Sequence, residues 1–193
     1  MRLKYLVILI FLNLSCNSQK SFQEVIDVYN VVIDKAVKPL PTPPPEPGDN
    51  SSMPLRIKDS LRGIKLNIAV SNRLELYDKQ SFNVFGYEDY QSAKDNLIAN
   101  KNRMLMKRNW FNTNLGHTLS IVDLNKIDKK QIFKEYYRLV FLSNIGFNTA
   151  KDKAIVIIGL EYGSRLSGAE LLYFLDKIDG KWEIKHEKVI SIS

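Results

Sequence analysis

The chain has 193 residues, with 28 Lys and Arg against 21 Asp and Glu, 2 His and 1 Cys. One cysteine excludes an internal disulfide and two histidines exclude a histidine-rich metal site, so an exported form must be held by its hydrophobic core alone. The formal charge of +7 is mild and accompanies no nucleic-acid motif.

Arg2 and Lys4 precede an apolar run from Tyr5 to Leu14. The charges hold that end on the cytoplasmic side while the run enters the bilayer. A spanning helix needs about 20 apolar residues, so this shorter run, interrupted by Asn13, reads as a signal peptide over residues 1–15. Leu14-Ser15-Cys16 after such a run resembles the lipobox of bacterial lipoproteins, with Asn13 standing where that family usually carries leucine. The resemblance implies that the Cys16 thiol is diacylated, that the signal is cut before it, and that the new amino terminus takes a further acyl chain. Two or more chains anchor stably where a single one binds marginally. The expected mature chain, Cys16 to Ser193, keeps 26 basic and 21 acidic residues and suffices for one domain.

The first mature element is an amphipathic helix over about 21–36. Ser21 and Glu24 form a capping box, and Phe22, Val25, Ile26, Tyr29, Val32, Ile33 and Ala36 make one apolar stripe. Its opposite face is acidic rather than basic (Glu24, Asp27, Asp34), which favours packing on the domain over lying on a membrane. All 7 prolines follow between Pro39 and Pro54. This stretch, residues 38–54, reads as polyproline II, serving either as a spacer or docking ligand or as an irregular connection between helix and sheet. The remainder, 55–193, is the expected globular domain.

Ile64 to Val70 alternates as a strand, with apolar residues at the even positions. Helix is expected from Glu88 through Lys101, extending toward Lys107. Lys101, Arg103, Lys107 and Arg108 interleave with Met104, Leu105 and Met106. They form either a contact for an anionic partner, such as phospholipid headgroups or a polyanionic sugar, or the solvated face of a packed helix. Trp110 to Gly116 reads as a loop, His117 to Val122 as a short strand and Lys129 to Tyr137 as a brief helix or turn. Four strands follow: Arg138 to Phe147, Lys153 to Tyr162, Ala169 to Lys177 and Lys181 to Ile192. Asp179-Gly180 is a two-residue hairpin signal between the last two. On the last strand Trp182, Ile184, His186, Lys188, Ile190 and Ile192 share one parity, expected to face the helices. Short hairpins exclude parallel crossovers, so the expected fold is α+β: an N-terminal helix, a Pro-rich connection and a C-terminal antiparallel β-meander covered by helices on one side. The C-terminal third, from Tyr137 to Ser193, resembles a group of small bacterial lipoproteins through its turn and core residues. That resemblance implies architecture and no activity.

Chemistry is sparse. Gly163 and Gly168 have P-loop spacing, but Ala169-Glu170 stands in place of Lys-Ser/Thr. No nucleophile elbow, Ser-x-x-Lys pair or metal-spaced cluster occurs, so no catalytic, cofactor-binding or metal residue is assigned. His186, on the apolar parity and expected near Glu161 or Glu170, reads as a core or rim histidine or as the base of a distant-residue triad. The aromatic pairs Trp110-Phe111 and Tyr136-Tyr137 read as core anchors or as the walls of a sugar groove. Cys16 remains as the one assigned site, for lipid attachment. The expected function is that of a lipoprotein anchored in the bacterial cell envelope, at the outer membrane. Its head would be a non-catalytic module binding a protein, glycan or small ligand, with the membrane, through acylated Cys16, as its first partner and no nucleic acid. The alternatives are an envelope assembly adaptor and a small hydrolase built on His186 or His117.

Overall fold

The computed structural model describes residues 22–37, 65–78, 81–111, 117–162 and 168–192. Cys16, the expected signal peptide, Ser21 of the expected capping box, Ile64 and the proline stretch 38–54 lie outside them, as do residues 163–167 of the expected glycine loop. Helix α1 (22–36) is followed by β1 (Asn67–Glu75), α2 (Gln91–Ala99), β2 (Thr118–Val122), α3 (Lys129–Glu135), β3 (Arg138–Ser143), β4 (Gly146–Phe147), β5 (Lys153–Tyr162), β6 (Gly168–Ile178) and β7 (Lys181–Ile192). The class is α+β, and the strands form one seven-stranded sheet in the order β2-β1-β3-β5-β6-β7, with β4 beside β5.

The sheet is mixed rather than a plain meander. β3, β5, β6 and β7 pair antiparallel, whereas β1 pairs parallel to both β2 and β3. The physical reason is α2 and α3, which supply the crossovers that a parallel return requires and that the short C-terminal hairpins lack. β1 begins at Asn67 rather than Ile64 and runs on to Glu75. Lying between β2 and β3, it buries Ile68, Ala69, Val70 and Ser71 in succession.

Helices cover both faces, not one. Val28, Tyr29, Val32, Ile33, Ala36 and Val37 of the α1 region pack with Val70, Val140, Val156, Ile158, Tyr173 and Trp182 on one side. On the other, Ala93 and Leu97 of α2 pack with Ile155, Ile157, Leu172 and Phe174, and Ile132 of α3 packs with Ala69 and Leu139. Successive β5 residues therefore serve opposite cores, which is why Ala154 to Ile158 is one unbroken buried run.

β7 is also reassigned. Its register slips between the pairs Phe174↔His186 and Leu175↔Ile184, placing an extra residue at Lys185. That bulge turns the later residues over. Trp182 and Ile184 stay with the α1 core, whereas His186 stacks beside Tyr87 and Phe174 and Ile190 packs on the α2 core. Shared parity in the sequence thus does not give a shared face.

Two further departures have a common cause. The strand expected over Arg138 to Phe147 breaks at Asn144 and Ile145, where the Ser143 hydroxyl accepts the Ile157 N–H at 2.8 Å. The Asn144 side chain donates to the carbonyls of both Asn100 and Asn102 at 2.9 Å. Those bonds meet the chain just past Ala99, where α2 stops and Asn100 turns extended. Residues 100–107 are consequently not helix: Leu105 bridges Arg73 antiparallel and Met106 N–H donates to the Asn72 carbonyl at 3.0 Å. At the far hairpin Asp179 (φ 49°) and Gly180 (φ 79°) are both left-handed, as a type I′ turn requires.

Candidate functional site

On the α2/α3 face a cleft of about 690 Å³ opens toward the strand ends where β5 leaves and β6 begins. Its floor lies at Gly159, whose missing side chain leaves Phe141 as the nearest neighbour: a Cβ there would meet the Phe141 Cβ at 3.4 Å. Its walls include Glu75 and Tyr77, where the chain leaves β1, Glu161 of β5, Glu170 of β6 and Ser191 of β7. In register, Glu170 sits opposite Gly159, and Glu161 opposite Gly168. The two carboxylates are therefore diagonal neighbours on one face, a placement with typical spacing of about 7–8 Å.

The Tyr77 hydroxyl donates to Glu170 Oε1 at 2.9 Å, closing one side of the cleft. Burial, and then the Glu170 carboxylate, push that hydroxyl above its ordinary range, so Tyr77 remains a proton donor across the physiological scale. The lining thus carries the carboxylates of Glu75, Glu161 and Glu170, a chemistry suited to a small polar ligand bearing several donors.

Neither histidine lines this cleft. His186 stacks at 4.7 Å on the Tyr87 ring and lies across from Phe174, while Glu170 faces Ser191 further along β7. His117 accepts the Leu66 N–H through Nδ1 at 3.1 Å, and burial followed by the nearby Arg138 charge depresses its pKa. The aromatic pairs are elsewhere too. Trp110 and Phe111 pack in the α1 core, Tyr136 packs on the α3 core and Tyr137 is exposed. Tyr77, which the sequence does not single out, joins the cleft through a contact 93 residues away in the chain.

Ion pairs on this side hold the 3-10 turn Glu88–Tyr90 that leads into α2. Lys153 bonds Asp89 at 2.8 Å and Asp176 at 3.0 Å, and the Tyr90 hydroxyl donates to Asp176 at 2.6 Å. Burial pushes the Asp176 carboxyl up, but these two donors outweigh it and hold it below the usual range. Among the described residues no cluster of His, Cys, Asp and Glu is arranged to hold a metal ion, and no helix is long and apolar enough to cross a membrane. Comparison with family models, with curated proteins and with solved structures finds no match to this chain.

Proposed function

We propose that this protein is a lipid-anchored envelope lipoprotein whose head is a binding module, with the cleft over Gly159 as its ligand site. The observation that carries the reading is the cleft itself, a concave space of about 690 Å³ bounded by residues of β1, β5, β6 and β7. Glu75, Glu161, Glu170 and the Tyr77 hydroxyl supply its polar groups. The ligand class that fits is a small polar molecule carrying amine or multiple hydroxyl donors. Anchoring through Cys16 is supported by the charged start, the short apolar run and Leu14-Ser15-Cys16.

The packing of α1 against the sheet favours reading the proline stretch 38–54 that follows it as a connection between helix and sheet, with a docking ligand as the other reading. The test is calorimetric titration of the mature chain with spermidine and glucosamine as probes. Binding of either, lost in Glu170→Gln while the unfolding midpoint is kept, supports the site. Binding undiminished in Glu170→Gln, or absent for both probes, contradicts it.

A further inference from the structure

The segment 100–111 contains Lys101, Arg103, Lys107 and Arg108 and no acidic residue. All four cations are exposed, and Leu105 between them is 58% exposed, whereas Met106 is buried and Met104 packs on the α1 core. Residues 103–107 therefore alternate as an extended ribbon, with Arg103, Leu105 and Lys107 outward and Met104 and Met106 inward, and Lys101 is exposed just before it. The ribbon is fixed in place by the Leu105 bridge to Arg73, the Met106 bond to Asn72 and the two carbonyls gripped by Asn144.

Its position matters because of α1. The Phe22 ring, at the start of α1, meets Trp110 edge-on at 5.0 Å, and Asn30 donates to the Trp110 carbonyl at 3.1 Å. The ribbon thus flanks the half of α1 that leads back to Cys16. Six residue steps separate Cys16 from Phe22, a reach of at most about 20 Å even when fully extended. Of the carboxylates on this half of α1, Glu24 is paired with Lys177 at 2.7 Å and Asp27 accepts a bond from Gln23 at 2.8 Å.

We infer that the ribbon, with Phe22 beside it, is the surface through which the domain rests on the anionic bilayer that holds its own lipid anchor. The inference rests on the reading of Cys16 as acylated. Headgroup phosphates meet the four cations, and exposed Leu105 and Phe22 supply apolar contact at the interface. The short tether keeps this face within about two to three Debye lengths, of about 8 Å each, of the membrane surface, so the attraction acts as the ribbon closes onto it.

The experiment uses the mature chain with Cys16→Ser, which carries no acylatable thiol, so its binding reads the ribbon alone. Co-sedimentation is measured with phosphatidylglycerol/phosphatidylethanolamine vesicles and with phosphatidylcholine vesicles, at low and high salt. Binding to the anionic vesicles only, abolished by high salt and weakened about tenfold or more by the triple change Arg103→Glu, Lys107→Glu, Arg108→Glu, supports the inference. Reversal of Lys126 and Lys134, around α3 on the opposite face, leaves it unchanged. Equal binding to neutral vesicles, no loss in the triple variant, or an equal loss in the α3 control overturns it. Failure of the anchor shows separately, as wild-type protein released from cell membranes by a high-salt wash.

Discussion

At the scale of single residues, Gly146 and His117 carry the sharpest consequences. A Cβ on Gly146 would lie 2.0 Å from the Ala93 carbonyl and 2.7 Å from the Leu97 Cβ, so α2 sits directly on the β4 backbone. Gly146→Ala must push the helix off the sheet; we expect a loss of about 3 kcal/mol or more, read from urea denaturation. His117 gives a pH dependence whose sign is fixed by its depressed pKa. The unfolded chain takes up the proton at the ordinary histidine value of about 6.5, before the folded one does. The stability is therefore present above that pH and lost as pH falls through the lower folded value. Protonation of Nδ1 also removes the acceptor for the Leu66 N–H. The urea midpoint should fall between pH 7 and pH 5, and fall less in His117→Asn, whose side-chain oxygen can keep the bond without titrating. An identical fall in both proteins would remove His117 from the account.

At the scale of elements, α1 is the piece whose role is most open to a simple test. It buries Val28, Tyr29, Val32 and Ile33, and the Tyr29 hydroxyl donates to the Ser143 carbonyl at 2.9 Å, across 114 residues of chain. The fully buried Arg138 guanidinium donates to the Ala36 carbonyl at the other end of the helix, where a cation also suits the helix dipole. Tyr29→Phe should therefore cost about 1–2 kcal/mol, measured by denaturant unfolding, whereas a peripheral helix would give no change. The β-strands show how far such elements can be read from sequence. Lys153 to Tyr162 and Lys181 to Ile192 are legible because Asp179-Gly180 and the apolar runs are local signals. The unbroken run Ala154 to Ile158 also held the sign that helices cover both faces, since one-sided burial demands alternation. The bulge at Lys185 had no such sign, because a register slip is a property of the pair β6 and β7 and not of either strand alone. The end of α2 was equally hidden: the Asn144 side chain that captures Asn100 and Asn102 arrives from 42 and 44 residues away.

At the scale of the whole molecule, the cleft opens on the α2/α3 face and the basic ribbon packs its apolar side on the α1 core, the two adjoining where Lys101 donates to the Tyr77 carbonyl at 3.5 Å. Of the cleft, the sequence offered Glu161 and Glu170 only as neighbours of His186, and Tyr77 not at all. Strand pairing and the path out of β1, rather than any motif, bring them together. All of this depends on Cys16, so the decisive measurement is the distribution of wild type and Cys16→Ser between membrane and soluble fractions after a high-salt wash that strips electrostatic contact. The account predicts that wild type stays with the membrane and the variant moves to the soluble fraction. Retention of the variant on washed membranes, or release of the wild type, would contradict it.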